Sequence, residues 1–212
     1  MVANTTTISF TRNASGLITE VRWRIRQSSG QANPLSGMYF CGKGMLFWTH
    51  GSRVPASGGI AYVNSEQRKP VALVMKHFNK PFNSIQDLIL DENGGIWFTD
   101  SSLGYESGFR PPPVLPNLVY YFGATSGILR VVADGIKKPM GITISLTGGT
   151  LYVADAGALQ PNGKVDPTSS AAIYAFTIRY LGSFPILIDK RLFAHAKRGA
   201  PTFLRCDRFN NI

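Results

Sequence analysis

A strand–turn–strand unit recurs along the chain and constrains the fold more than any other feature. Its clearest copy is Asp87–Asp100, DLILDENGGIWFTD, where the turn residues Asn-Gly-Gly separate two apolar runs. The same order returns in Gly141–Asp155, GITISLTGGTLYVAD, and in Met38–His50, MYFCGKGMLFWTH, with its turn at GKG. We expect Phe203–Ile212, FLRCDRFNNI, to open a fourth copy. Glycine-rich turns between short apolar runs are typical of β-hairpins.

The spacing of these copies predicts the architecture. The equivalent strand ends fall at His50, Asp100 and Asp155, which are 50 and 55 residues apart. Further strand signals lie between copies, such as Leu118–Phe122 and Ile128–Ala133. Four strands in each unit of about 50 residues predict an all-β protein made of β-propeller blades. The absence of sustained helical spacing excludes a helical solenoid, and a β-sandwich is the alternative.

Composition is that of a folded protein and excludes several classes of partner. The chain is 44% apolar and 16% charged, with 22 glycines and 13 prolines for many turns. No run approaches the roughly 20 apolar residues of a membrane helix. The net charge of +10 is scattered in pairs and in the alternating Arg22, Arg24 and Arg26, without the pattern of a nucleic-acid module. We therefore expect neither a membrane nor a nucleic-acid partner.

Cysteine usage and the first residues predict an intracellular, cytoplasmic protein. Cys41 and Cys206 are far apart, which implies neither a disulfide framework nor a metal-binding pair. The opening MVANTTTISF has neither the basic nor the apolar region of a signal peptide. We therefore expect the glycosylation triplets at Asn4 and Asn13 to be unused.

Two long connections interrupt the repeats. They are Gly104–Asn117, GYESGFRPPPVLPN, and Gly157–Ser170, GALQPNGKVDPTSS. Long loops that leave blade strands often cover one face, and the triple proline stiffens the first loop. Because that loop carries Tyr105, Phe109 and Arg110, we interpret it as a lid over a pocket, with a plain surface excursion as the alternative.

Several segments resemble the gluconolactonase / senescence-marker-protein (regucalcin) family, nearest its fungal lactonohydrolase-like branch. They are FNSIQDLILDENGGIWFTDSSLGY (82–105), GFRPPPVLPNLVYYF (108–122), LRVVADGIKKPMGITISLTGGTLYVADAGA (129–158) and IYAF…RLFAHAKRGAP (173–201). The resemblance implies a six-bladed β-propeller, of which this chain covers about four blades. Residues 1–212 are then a single partial propeller domain, with 1–37 the end of a first blade and 38–212 the lactonase-like blades.

The resemblance also implies a divalent cation, usually calcium, that polarises a lactone carbonyl. The family's Ser-Pro-Asn-Asp segment reads SIQD at 84–87, its Pro-Asn-Gly turn reads PMG at 139–141, and its Pro-Asp-Gly segment reads PTF at 201–203. The segment that should hold the family's metal-binding Glu lies upstream of Met1. Since a methionine thioether is a soft, weak ligand, we predict no metal site and no cofactor.

These substitutions make the centre of the ring more apolar. Ile85, Met140 and Phe203, with Tyr105 of the loop, are predicted to bind an apolar small-molecule substrate. The candidate catalytic residues are the hydrogen-bond donors Gln86, Thr202 and His50. For His50 a purely structural role is the alternative.

Three aspartates are assigned to the architecture. Asp100 and Asp155 close equivalent strands, so their repetition points to a role in every blade. Asp87 is interpreted as a hydrogen-bonding residue at the start of a strand.

The resemblance suggests a function in fungal secondary-metabolite biosynthesis. Hetero-Diels–Alder enzymes occur among fungal relatives, and a metal-free, apolar, lidded pocket suits a cycloaddition that needs near-attack geometry and one hydrogen bond to a carbonyl. The main hypothesis is therefore a metal-independent (hetero-)Diels–Alderase. The alternatives are a lactone or ester hydrolase of the gluconolactonase family and a non-catalytic small-molecule-binding propeller. Open blade edges are expected to permit oligomers.

Overall fold

The computed structural model describes residues 4–15, 17–27, 35–41, 44–54, 56–64 and 70–212. In these residues the protein is all-β, with antiparallel sheets and a single α-helix of four residues. This helix lacks the length and apolar character needed to cross a membrane.

The strands form a hairpin, three four-stranded sheets and a second small hairpin. The first hairpin pairs β1 (Asn4–Arg12) with β2 (Ile18–Gln27). Sheet I contains β3 (Leu35–Cys41), β4 (Gly44–Thr49), β5 (Gly59–Asn64) and β6 (Pro70–Val74). The small hairpin pairs β7 (Lys76–His77) with β8 (Lys80–Pro81).

Two further sheets follow sheet I along the chain. Sheet II contains β9 (Ile85–Leu90), β10 (Ile96–Asp100), β11 (Leu118–Gly123) and β12 (Ile128–Ala133), with α1 (Leu103–Glu106) between its second and third strands. Sheet III contains β13 (Pro139–Ile144), β14 (Thr150–Asp155), β15 (Ala172–Leu181) and β16 (Phe184–His195). Within each sheet, neighbouring strands are consecutive in sequence, so each sheet is a simple meander.

The three repeated strand–turn–strand units are confirmed as the first two strands of sheets I, II and III. In sheet II the Asp91 carboxylate closes the turn by accepting the backbone N–H groups of Asn93 and Gly95 at 2.9 and 2.8 Å. Gly94 has a φ of +77°, a conformation that glycine adopts without steric cost. For the turn of sheet I, residues 42 and 43 lie outside the described residues.

The fourth unit forms its turn without its strands. Asp207 accepts the N–H groups of Phe209 and Asn211 at 2.8 and 2.9 Å, which reproduces the Asp91 turn. Residues 201–212 nevertheless form no strand, so the prediction of a strand there is wrong for this structure. The physical reason is that this segment touches β13 through isolated bonds, such as that from the Cys206 N–H to Thr143 Oγ1 at 3.2 Å, and not through a ladder.

Hydrophobic packing joins each sheet to the next. One cluster fills the space between sheets I and II and includes Trp48, Ile85 and Phe98. A second lies between sheets II and III and includes Trp97 and Val153. β9 thus packs against sheet I on one side and against β13 on the other. This face-to-face succession of small meanders brings the beginnings of β9 and β13 together.

Candidate functional site

One face of the molecule carries the long loops. It is the face at which β9 and β13 begin and at which β10 and β14 end, and we call it the start face. Residues 101–117 and 156–171 both lie there, because each follows the second strand of its sheet. Most of the polar contacts described below are on this face.

A buried carboxylate organises the start of sheets II and III in the same way. Asp100 accepts the N–H groups of residues 83 and 84 at 2.9 and 2.6 Å. Asp155 accepts those of residues 137 and 138 at 3.2 and 2.9 Å. The repetition of Asp100 and Asp155 therefore reflects one architectural device, as the sequence indicated. Burial raises the pKa of Asp100 to about 7, against the opposing effect of its two N–H bonds and of nearby Arg110.

His50 stands at the corresponding point of sheet I, after β4, and contacts the next sheet. Its Nδ1 lies 3.1 Å from the Ser84 hydroxyl, and its ring packs 5.8 Å from that of Phe109. Burial lowers the pKa of His50 to about 4, opposed by a hydrogen bond with the backbone of Ile85 and reinforced by the charge of Arg110. The imidazole is therefore neutral at pH 7.

Arg110 fixes the long loop to sheets I and II. The side chain is buried, and its Nε and Nη2 donate to the carbonyls of Asn83 and Phe82, both at 2.6 Å. Its Nη1 donates to the Ser52 carbonyl at 2.7 Å and to Ser57 Oγ at 3.0 Å. A guanidinium shared among acceptors in two separate segments, residues 52–57 and 82–83, is a rigid anchor.

Other polar contacts hold the loop at both ends. The Asn83 side chain donates to the Leu115 carbonyl at 2.8 Å and accepts the Leu115 N–H at 3.3 Å. Lys138 is buried, and its Nζ contacts Glu106 Oε2 at 2.5 Å and the Leu159 carbonyl at 2.6 Å. The loop thus lies over the start face as a cover, and the groups beneath it are Ser84 and His50.

Three of the sequence-derived site residues occupy equivalent positions in their units. Gln86, Met140 and Thr202 each stand five residues before the turn of their unit. Gln86 is buried and donates to the Ser84 carbonyl at 2.9 Å, and Met140 is buried beside sheet III. Thr202 is partly buried, on the segment that lies against Gly141.

The four residues assigned to substrate binding have different surroundings. Ile85 is completely buried in the core between sheets I and II, and Met140 in the cluster of sheet III. Phe203 is 70% exposed and Tyr105 48% exposed. Two grooves on the described surface lie elsewhere: one of about 580 Å³ includes Asp91 and Arg205, and one of about 380 Å³ includes Lys137.

The residues at the family's ligand positions do not fit a calcium ion. Gln86 is engaged with a backbone carbonyl, and Met140 offers a thioether. The neighbouring carboxylate, Asp87, is occupied by Arg205 and by the Ile142 N–H. Among the described residues, no three His, Cys, Asp or Glu side chains form a group that could hold a metal. The lack of a metal site stays a prediction for direct measurement.

Sequence reasoning named Arg110 as a residue of the lid loop but missed its burial and its anchoring role, and it missed the Ser84–His50 contact. The partners in both are brought together from distant parts of the chain. The only signal for Arg110 was a charged residue between apolar and proline residues in a long loop.

Comparison with known proteins places these features in a class. No protein-family model matches the chain. It is 33% identical over 152 residues to the lactonohydrolase oryL of Aspergillus oryzae, an alignment that covers 66% of this chain and 34% of the relative. It is 28% identical over 207 residues to a gluconolactonase of Zymomonas mobilis, covering 82% of this chain and 55% of the relative.

Solved structures give the same class. A gluconolactonase from Xanthomonas campestris superposes with a TM-score of 0.62 at 29% identity, covering 79% of this chain and 50% of that one. A putative gluconolactonase superposes with a TM-score of 0.68 at 18% identity, covering 88% of this chain and 59% of that one, and supports the fold alone.

These similarities support the gluconolactonase–lactonohydrolase family for this chain, as the sequence resemblance implied. The chain spans about a third to a half of the curated relatives that it matches. None of these relatives supports the Diels–Alderase branch.

Proposed function

We propose that this chain is part of a lactone hydrolase of the gluconolactonase–lactonohydrolase type, which opens a cyclic ester to a hydroxy acid. The observation that carries the proposal is its 33% identity to a lactonohydrolase over 152 residues. The similarity to the Xanthomonas campestris gluconolactonase in sequence and in sheet arrangement supports it independently.

The propeller interpretation is part of the same proposal. Sheets I, II and III are successive blades, and the turn at Asp207 begins the next one. The six-bladed ring, of which about four blades would lie in this chain, follows from the family resemblance.

Hydrolysis of a lactone needs an activated oxygen nucleophile and stabilisation of the charge that develops on the carbonyl oxygen. Because the residues at the family's ligand positions do not fit calcium, side chains of this chain are the candidates for these tasks. The start face offers a neutral imidazole, His50, and a buried cation, Arg110. Neither group requires a metal to act at neutral pH.

The hydrolase alternative is better supported than cycloaddition. The curated relatives are named as a lactonohydrolase and a gluconolactonase. The apolar residues expected to enclose a cycloaddition substrate are divided between the core and the surface, with Ile85 buried and Phe203 exposed. No observation on the described residues favours the cycloaddition.

A panel of lactones tests the proposal. The purified chain is incubated with five- and six-membered aldonolactones and with aliphatic lactones, and acid release is followed by pH-stat titration at pH 6.5, where spontaneous opening is slow. We expect release above the rate given by the same amount of heat-denatured chain for at least one lactone. Rates equal to that control across the panel would overturn the proposed function.

A further inference from the structure

We propose that Ser84 and His50 are a nucleophile–base pair, with Ser84 Oγ attacking the carbonyl of an ester or lactone. The choice of lactone as substrate rests on the proposed function above. The pair itself rests on contacts within the start face.

The first observation is the geometry of the two side chains. The Ser84 Oγ and His50 Nδ1 lie 3.1 Å apart, within the distance at which a hydroxyl donates to an imidazole. A hydrogen bond with the Ile85 backbone orients the ring as well. In the tautomer that carries its hydrogen on Nε2, Nδ1 is the acceptor for the Ser84 proton. A nucleophile, a base and a group that orients the base are the parts needed to activate a serine.

The second observation is how firmly Ser84 is held. Its backbone N–H donates to Asp100 Oδ1 at 2.6 Å. Its carbonyl accepts the Ser101 N–H at 3.1 Å and Gln86 Nε2 at 2.9 Å. A backbone fixed at both polar groups keeps the hydroxyl in place toward His50. Such preorganisation lowers the entropy that attack would otherwise cost.

The third observation is the electrostatic setting. Burial lowers the pKa of His50 to about 4, so the imidazole is unprotonated at pH 7 but is a weaker base than an exposed histidine. Proton transfer from Ser84 therefore depends on the 3.1 Å contact that holds the two groups together. The Arg110 side chain runs beside Ser84, since Arg110 Cγ and Ser84 Oγ both border the same face of Gly104. The Arg110 guanidinium itself is bound by the carbonyls of residues 82 and 83, and its charge lowers the pKa of His50.

The loop covers the pair. A Cβ added to Gly104 would lie 2.9 Å from Ser84 Oγ, so only a glycine fits here without displacing its neighbours. Ser84 is 1% exposed, and Phe109 packs against His50. Arg110 and Asn83 hold the second half of the loop, so a substrate carbonyl reaches Ser84 only when the segment from α1 to Phe109 moves away by itself, with loss of the Glu106–Lys138 contact. This gives residues 103–109 the role of a lid.

The chemical step balances without a further reagent. Ser84 Oγ forms a bond to the lactone carbonyl carbon while its proton passes to His50. The ring C–O bond then breaks, and the proton moves from His50 to the departing alkoxide, which gives an acyl-serine that carries a free hydroxyl. Water, deprotonated by His50, cleaves that ester, so the hydroxy acid leaves and Ser84 recovers its proton.

A serine-directed fluorophosphonate tests the pair, because attack of Ser84 on phosphorus expels fluoride and leaves a stable adduct. The chain is treated at pH 7.5, its intact mass is measured, and the modified peptide is located by tandem mass spectrometry. We expect one adduct per chain, on Ser84. His50→Gln is expected to slow labelling by more than tenfold, and Ser84→Ala to abolish it.

Two controls separate this inference from a loss of folding. Ser126→Ala, at a turn between β11 and β12, should be labelled at the wild-type rate. Circular dichroism and thermal melting establish that each variant is folded. If Ser84→Ala is unstable, Ser84→Cys replaces it, and iodoacetamide should alkylate that thiol faster in the single variant than in the double variant that also carries His50→Gln. No adduct on Ser84, or equal labelling rates with and without His50, would overturn the pair.

The inference and the proposed function fail in different ways. Labelling of Ser84 without turnover of any lactone would support the pair and overturn the proposed function. A different result would support the proposed function and overturn the pair. In that case Ser84→Ala hydrolyses the lactone at the wild-type rate, and Ser84 of the wild-type chain stays unlabelled.

Discussion

Asp87 and Arg205 form a two-point ion pair that ties the beginning of β9 to the last segment of the chain. The Arg205 Nη1 and Nη2 donate to the two carboxylate oxygens of Asp87 at 2.7 and 2.9 Å, and Asp87 is fully buried. The ion pair passes β13 at Gly141. A Cβ added to Gly141 would lie 2.6 Å from the backbone nitrogen of Leu204, so the last segment lies directly against β13 at this residue. Asp87 is thus the hydrogen-bonding residue that the sequence indicated, and its arginine partner, 118 residues away, was not foreseen.

Removal of this arginine should loosen the last segment. In Arg205→Ala, Asp87 keeps its bonds to the Leu88 and Ile142 N–H groups but loses its only ionic partner in the described contacts. Because the arginine is half exposed, we expect a loss of about 2 kcal/mol in the free energy of unfolding. Urea denaturation measures the loss. Arg179→Ala, at an exposed position of β15, is the control, and an equal effect of both substitutions would contradict this account.

Arg110→Lys tests the anchor of the long loop. Lysine keeps the charge but cannot reach all the acceptors of the guanidinium at once, so buried carbonyls of residues 82 and 83 lose their partners. We expect a loss of about 3 kcal/mol in stability. We also expect faster proteolysis within residues 103–117.

The matched control for that experiment is Arg53→Lys. Arg53 is exposed and contacts the same loop from outside, through the Gly108 carbonyl at 3.1 Å. It should change stability by less than about 0.5 kcal/mol. If both arginine variants behave alike, the loop does not depend on the buried guanidinium.

The folded protein should lose stability as the solution becomes acidic, because buried His50 must then take up a proton. Its pKa of about 4 in the folded state is below the ordinary value of 6.5, so its contribution is complete above pH 6.5 and is lost as pH falls toward 4. The full contribution of His50 to the free energy of unfolding is roughly 3 kcal/mol. Asp100 acts in the opposite direction, because its pKa is raised to about 7 and its contribution is lost as pH rises from 3.8 through 7.

The comparison of wild type with His50→Gln isolates the histidine from Asp100. Unfolding free energies are measured by urea denaturation at half-unit steps from pH 4 to 7.5. We expect the difference in unfolding free energy between the two proteins to shrink as pH falls through this range. Only the wild type loses stability through protonation of a buried histidine. A constant difference would show that His50 titrates normally.

Calcium should not bind the start face. Isothermal titration of the chain with calcium, zinc or manganese is expected to give no micromolar binding, because Met140 and the occupied Asp87 leave too few oxygen ligands. A thermal melt with excess calcium should likewise be unchanged. Micromolar affinity, or a rise in melting temperature, would contradict the ligand analysis.

The sequence predicted those parts of the fold that depend on local signals. The Asn93–Gly95 turn, the paired strands around it and the repeated Asp100 and Asp155 all follow from residues within about fifteen positions of one another. The strand assigned to Phe203–Ile212 was wrong because pairing depends on a neighbouring strand, and local pattern does not supply one.

The site was harder to predict because its contacts join distant residues. Gln86, Met140 and Thr202 were found through the ligand motifs of the family that the sequence resembles, and such motifs mark positions in the sequence without showing what surrounds them. His50 and Ser84 are 34 residues apart, and the hydrogen-bond partners of Arg110 lie 27 to 58 residues from it. Only the packed sheets and the covering loop bring these groups together.

The central claim is that this chain opens lactones with its own side chains and without a bound metal. The most direct test is the initial rate of hydrolysis of the best lactone in the panel, measured in about 10 mM EDTA, which is ample to remove calcium from oxygen-ligand sites of micromolar affinity, and again in excess calcium. We expect the same rate in both solutions and a loss of more than tenfold in His50→Gln. A rate abolished by EDTA and restored by calcium would contradict the account.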